Sequence, residues 1–213
     1  MQSVAVPWNQ QVVQMDPLST IARNVLKINA EHAYASLLPR IEGNSQAKSL
    51  LDSSSAGDML AVGAVNLDDA TLVRSALYLW HDWLEESHKL SQSISTATGS
   101  FWHAIMHRRE GDFSNSKYWY ARCAEHPVFA VLAAQAGQVL NPLPVDKSIL
   151  KLTLGGWNPN ALVDLVETAV SSGAEAKVRI AVSLQQLEWR VLFDHTVRSA
   201  AGDQGAQVFH PAG

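Results

Sequence analysis

Histidine and glutamate side chains form two triplets in the middle of the sequence, each with helical spacing. The triplets consist of His81, Glu85 and His88, and of His103, His107 and Glu110. Positions i, i+4 and i+7 share one face of an α-helix, so each triplet offers two imidazoles and one carboxylate. Zn, Fe and Mn sites use such ligands, and helix bundles hold metals between facing helices. The spacing therefore predicts a divalent transition metal site, with Zn, Fe or Mn as the candidate ions.

Two residues of the last predicted helix are candidates to complete this site. Glu188 and His195 lie seven residues apart at the margin of an apolar stripe. A carboxylate at that margin requires a proton, a cation or a metal, because an unpaired buried charge is costly. We therefore include both residues in the predicted site.

A structural explanation of the same histidines stays open. The first triplet lies beside the apolar stripe of its helix, where a solvated flank with ordinary i, i+4 pairing is expected. His103 and His107 are equally suited to hydrogen bonds with backbone groups or with Glu110. The segment HAIMH also lacks the glutamate that follows the first histidine in zinc-protease motifs. Spacing alone does not separate metal ligands from structural histidines.

Basic and aromatic residues near the second triplet predict a site for a small anionic molecule. The predicted ligand-binding residues are Trp102, Arg108, Arg109 and Lys117. Guanidinium groups bind carboxylate and phosphate oxygens through paired hydrogen bonds. The alternative is that one arginine caps the carboxyl end of its own helix and the other pairs with Glu110 or Asp112. The tryptophan is then a core residue.

Composition and the lack of other motifs exclude several functions. The chain carries 16 basic and 20 acidic side chains, and its net charge of −4 gives no reason to expect nucleic acid or an anionic membrane as a partner. The single cysteine, Cys123, rules out an intrachain disulfide and a cysteine-only zinc site. The sequence has no nucleophile elbow, phosphate loop or dinucleotide fingerprint. Because it shows neither a secretory signal nor a membrane-length apolar segment, we expect a cytoplasmic protein.

Apolar residues recur with a period of about 3.6 and almost never alternate, which predicts an all-α fold. We expect a compact irregular bundle of about seven helices around a central helix-turn-helix hairpin. The predicted helices span residues 16–38, 68–93, 101–109, 114–124, 127–137, 158–171 and 174–200. The hairpin, residues 99–124, is expected to pack against the two longest helices.

The segments outside these helices are predicted as connections. Residues 1–15 are expected to form an N-terminal arm, residues 16–201 a single all-α domain, and residues 202–213 a loose tail. Residues 42–58 are rich in Ser, Asn and Gly, which indicates a long loop or a frayed short helix.

The central block, residues 99–129, carries two resemblances. Its sequence GSFWHAIMHRREGDFSNSKYWYARCAEHPVF resembles the signature block of a family of uncharacterised microbial proteins, together with WHDWLEESH and WRVLFDH at residues 80–88 and 189–195. This resemblance implies a helical fold and no particular activity. The block is also similar to one tetratricopeptide-type hairpin, with the matching residues Ala104, Gly111, Asp112, Phe113, Ser116, Tyr120, Cys123 and Pro127. A solenoid needs at least three repeats, so this similarity implies only a tight helix-turn-helix.

These observations lead to two functional hypotheses. The first is a small-ligand or metal-binding helical domain with a pocket lined by His, Arg and Glu, in which a histidine or a metal-bound water would be the general base of any catalysis. The second is a non-enzymatic helical module for protein–protein interaction.

Overall fold

A computed structural model describes residues 16–140, 149, 151–202 and 208 of the chain. Within these residues the chain forms nine α-helices and one short 3-10 turn, which confirms the predicted all-α class. The helices are α1 (Thr20–Lys27), α2 (Ser45–Asp52), α3 (Leu67–Trp80), α4 (Leu84–Ser91), α5 (Ala97–Glu110), α6 (Phe113–Tyr120), α7 (Val128–Leu140), α8 (Pro159–Ser172) and α9 (Glu175–Ala201).

The long helix α9 is the centre of the packing. It packs against α3, α7 and α8, while α4 lies between α3 and α5, and α5 pairs with α6 in a tight hairpin. The core between these helices is rich in aromatic rings: Trp189 lies 4.5 Å from Trp80 and 4.6 Å from Phe193, measured between ring centroids. Most of the tryptophans that the structure describes are buried in this core. Trp102 is one of them, in agreement with the alternative that it is a core residue and not a ligand-binding one.

The predicted helix 68–93 is wrong, because the chain breaks into α3 and α4 at residues 81–83. Asp82 has a φ of 66°, a left-handed conformation that no helix tolerates in its interior. Tertiary contacts stabilise this break, because the Asn44 backbone amide donates to the His81 carbonyl at 3.3 Å and the Trp83 indole donates to the Asn44 carbonyl at 2.9 Å. The loop lies so close that a Cβ at position 43 would overlap the His81 carbonyl. Residues on either side of the break consequently face different directions.

Several predicted helix ends also differ from the structure. The first helix begins after Ser19, whose side chain caps the amide of Ala22, and it ends at Lys27 rather than near residue 38. Helix α5 begins after the cap residue Thr96, four residues before the predicted start at residue 101. Helix α6 stops at Tyr120, four residues early. Of the two alternatives predicted for residues 42–58, the short helix is present as α2, and the 3-10 turn Gly57–Met59 follows it.

Other predicted boundaries agree with the structure. Asn158 caps α8, Gly173 ends it with a left-handed conformation, and Gly202 ends α9 in the same way. The predicted arm 1–15 and most of the predicted tail lie outside the described residues. Within the described part of the chain, no helix is both long enough and apolar enough to cross a membrane.

Candidate metal centre

Helix α5 presents His103 and His107 on one face. Thr96 starts this helix by accepting a hydrogen bond from the amide of Gly99, and Gly111 ends it with a φ of 92°. The four-residue spacing between the two histidines places their rings one turn apart, with centroids separated by 4.6 Å. Both side chains are buried, so the pair lies at the packed surface of α5 and not on a solvated flank.

Helix α4 adds a third histidine to this pair. Because α4 packs on α5, His88 lies 4.8 Å from His103 and 5.3 Å from His107, measured between ring centroids. One nitrogen from each of the three rings falls within 4.8 Å of the others, and the Nε2 atoms of His103 and His107 are 3.0 Å apart. Tetrahedral zinc with Zn–N bonds of about 2.0–2.1 Å needs nitrogen separations of about 3.3 Å. The separations here, up to 4.8 Å, exceed that value by up to about 1.5 Å, a difference that side-chain movement would have to close when an ion binds.

Glu110 fixes the orientation of the His107 ring. Its carboxylate accepts a hydrogen bond from Nδ1 of His107 at 2.6 Å. The ring hydrogen is therefore on Nδ1, and the Nε2 lone pair points toward His103. A carboxylate that holds the second nitrogen of a histidine is a frequent companion of metal-bound imidazole. In this arrangement the Glu110 carboxylate contacts the His107 ring, and its role as a metal ligand stays a prediction.

One of the two ring nitrogens of His103 lacks a hydrogen-bond partner within the part of the chain that the structure describes. Its Nδ1 atom is buried and has no hydrogen-bond partner among the residues described. In the metal-free protein its Nε2–H donates to His107, and a bound metal would replace that hydrogen, leaving the ring hydrogen on Nδ1. Burial, with smaller contributions from His107 and His88, lowers the pKa of His103 to about 3. The ring is therefore neutral at physiological pH, as a metal ligand must be.

Helix α6 closes the site with two residues that the sequence analysis did not select. The Trp119 ring lies 4.1 Å from that of His103, and the Asn115 amide nitrogen is 3.1 and 3.3 Å from the two ring nitrogens of His107. The shorter distance joins the Asn115 amide to Nε2, the nitrogen that also faces His103, so a metal ion bound there would have to displace this contact. The four-residue spacing of Asn115 and Trp119 was the signal in the sequence that these side chains share a face.

A second cluster of ligand atoms overlaps the first. His107, Glu110 and Asp112 also bring ligand atoms within 4.8 Å. Asp112, however, is exposed and caps α6, because its carboxylate accepts a hydrogen bond from the backbone N–H of Asn115 at 3.1 Å. Its carboxylate therefore already has a structural role, whereas the three histidines include two buried rings.

The first predicted triplet is not brought together. His81 is buried at the end of α3, where its Nε2 donates to the Val25 carbonyl at 2.8 Å, and burial lowers its pKa. Glu85 is exposed and pairs with Lys89 at 3.1 Å. The break at residues 81–83 separates His81 from His88. Glu85 shares α4 with His88, but its carboxylate is exposed and paired with Lys89, while the His88 ring lies against those of His103 and His107.

Arg108 and Glu188 form a buried ion pair rather than a ligand site. The Arg108 guanidinium donates to Glu188 at 2.5 Å and to the Tyr120 hydroxyl at 2.6 Å, and Tyr120 donates to Glu188 at 3.0 Å. Arg108 and Glu188 are fully buried, and burial together with Glu188 raises the pKa of Tyr120 well above its usual value. The sequence predicted that Glu188 would require a proton, a cation or a metal, and in the structure its partner is the Arg108 cation.

The remaining predicted ligand-binding residues also have structural partners. Arg109 donates to the Leu79 carbonyl and to Asp82, both within 2.9 Å, and lies 4.0 Å from the Tyr34 ring centre. It therefore caps the carboxyl end of α3, a different helix from its own. The Trp102 indole N–H donates to the Thr196 hydroxyl at 3.0 Å, and the Lys117 ammonium pairs with the Asp164 carboxylate at 2.5 Å.

His195 belongs to another part of the molecule. Its ring lies 5.0 Å from that of His126, and its side chain lines a cavity between α7 and α9. Neither His195 nor Glu188 is part of the ligand groups found among the described residues.

Comparison of the chain with protein-family models, with curated proteins and with solved structures gave no match in any of the three. The helical fold implied by the first resemblance is present, and α5 and α6 form a tight hairpin. The relation of that hairpin to tetratricopeptide repeats stays a prediction.

Proposed function

We propose that this chain is a helical metal-binding protein whose ligands are His88, His103 and His107. The observation that carries the proposal is the convergence of three imidazole nitrogens from two helices within 4.8 Å. The hydrogen bond from His107 to Glu110 supports it, because it directs the Nε2 lone pair into the cluster. An all-imidazole ligand set favours Zn²⁺ over Mn²⁺, which prefers oxygen ligands, and over iron sites that use carboxylates.

The catalytic form of this proposal is a metal site that activates water. A metal with three protein ligands keeps a fourth position for water, and the metal lowers the pKa of that water. His88 is half-buried and the Glu110 side chain is 40% exposed, so solvent reaches this side of the cluster. The metal-bound water would be the general base, since Glu110 is occupied with His107.

Metal analysis of untagged protein, purified without chelator, is the first experiment. We expect near-stoichiometric zinc, removed by a chelator and restored by titration with zinc chloride. At free zinc 100-fold above the dissociation constant, zinc is expected to stabilise the fold by about 2.7 kcal/mol, measured by urea unfolding. Protein that remains metal-free after titration, with unchanged unfolding, would falsify the proposal.

Single substitutions test the assignment of each ligand. His107→Ala and His103→Ala are expected to abolish zinc binding while circular dichroism retains most of the helical signal. Glu110→Gln is expected to weaken zinc affinity by about 10–100-fold, because it removes the carboxylate that orients His107. His32→Ala is the matched control, since His32 is exposed and far from the cluster in sequence. Equal losses in His32→Ala and His107→Ala would contradict a specific site.

The alternative, a protein–protein interaction module, has less support from the structure. Its exposed large apolar side chains are spread over several separate segments rather than along one helix face. Among the residues that the structure describes, they are Ile41, Val62, Val65, Leu67, Tyr118, Val131 and Leu154.

A further inference from the structure

A cavity of about 400 Å³ lies between α7 and α9, away from the histidine cluster. Its volume falls within the usual range for small-molecule sites in proteins. Helix α9 contributes a wall of mostly charged residues, and α7 contributes two valines together with Gln135. The cavity thus has the two-sided character that suits an amphipathic small molecule.

The charged wall consists of Arg190, Asp194 and Arg198, with His195 beside them. The four-residue spacing of the charged residues places them on one face of α9. The Arg198 guanidinium lies 3.8 Å from the Asp194 carboxylate, so these two opposite charges offset each other. Arg190 therefore gives this wall a net charge of one positive unit. Arg190 forms no hydrogen bond or ion pair with any residue that the structure describes.

This arginine differs from those predicted to bind an anion. Arg108 and Arg109 are buried and already paired with Glu188 and Asp82. Arg190 is exposed at the edge of a cavity and free to pair with a ligand. Charge-assisted hydrogen bonds to carboxylate oxygens are the strongest contacts that a guanidinium makes.

The apolar wall is formed by Pro127, Val128 and Val131, and Val191 extends it from α9. Val131 is 42% exposed, so part of this wall is in contact with water in the free protein. A hydrocarbon group that covers Val131 would gain free energy from the apolar area removed from water.

We propose that this cavity binds a small carboxylic acid with an apolar body, whose carboxylate pairs with Arg190 and whose hydrocarbon packs on the valines of α7. His195 lines the same cavity and offers a ring nitrogen for a hydrogen bond. Burial lowers the pKa of His195, so it contributes a neutral ring and not a second charge. This site is independent of the metal centre.

Titration of the chelator-treated protein with hexanoate, followed by two-dimensional amide NMR, tests the proposal. We expect saturable shifts at residues of α7 and α9 that line the cavity. Hexanol has the same hydrocarbon without the charge, and acetate has the charge without the hydrocarbon, so both are expected to bind at least 10-fold more weakly. Inorganic phosphate serves as the alternative anion.

Arg190→Ala is expected to weaken hexanoate binding about 10-fold or more. Arg179→Ala is the matched control, because Arg179 lies on the same helix, is exposed and pairs with Glu175 outside the cavity. Absence of hexanoate binding, equal binding of hexanol, tighter binding of phosphate, or unchanged binding by Arg190→Ala would each overturn the proposal. Because the protein is metal-free in this experiment, its outcome does not depend on zinc binding.

Discussion

The buried ion pair between Arg108 and Glu188 is expected to dominate the response of the fold to mutation. Glu188→Leu removes the only carboxylate that contacts Arg108 among the described residues, and it also leaves the Tyr120 hydroxyl without its acceptor. Loss of one partner of a buried pair typically costs about 3–5 kcal/mol, because the other charge stays buried without compensation. For a chain of 213 residues this corresponds to a fall in melting temperature of about 10 °C.

The double variant separates the ion pair from simple packing. Arg108→Met combined with Glu188→Leu removes both charges while conserving much of the volume, so we expect it to be more stable than either single variant. Urea unfolding in the presence of chelator gives the free energies. Glu175→Leu is the control, because Glu175 forms the same type of pair with Arg179 on the surface of the same helix and is expected to cost at most about 0.5 kcal/mol.

Two results would refute this reasoning. A cost below about 1 kcal/mol for Glu188→Leu would mean that water solvates Arg108 in the folded state. A double variant as unstable as the sum of the two single variants would mean that the side chains contribute through packing and not through their charges.

Further predictions concern acid stability and two glycines. Burial lowers the pKa of His126 to about 4 and that of His103 to about 3, so the unfolded chain binds more protons below pH 6.5. Stability of the chelated protein is therefore full above pH 6.5 and is expected to fall by about 1.4 kcal/mol per pH unit for each histidine as the pH drops toward 4. Urea unfolding at several pH values measures this slope, and a flat profile would show that these rings are solvated. Gly43→Ala is expected to destabilise the fold by about 1–3 kcal/mol, because its Cβ would overlap the His81 carbonyl. Gly137→Ala, in an open position of α7, is expected to stabilise the fold by about 0.5–1 kcal/mol in the same assay; destabilisation there would contradict the described geometry.

Local signals in the sequence determined the class of the fold and the ends of its C-terminal helices. Asn158 before Pro159 and the glycines at 173 and 202 act within one turn of chain, and their effects follow from backbone and capping chemistry alone. The pairing of His103 with His107 was also readable, because a four-residue spacing has the same meaning on every α-helix. That part of the candidate site required no knowledge of the fold.

Only the tertiary structure decided which residues join this pair. The contact of Gly43 and Asn44 with the end of α3 breaks a helix that the local sequence would continue, and this break turns His88 toward α5 while His81 is held by Val25. The partner of Arg108 was equally hidden, because Glu188 lies 80 residues away in the chain. Contacts between distant segments depend on how helices pack, and helix periodicity fixes the face of a residue but not the segment that will cover it.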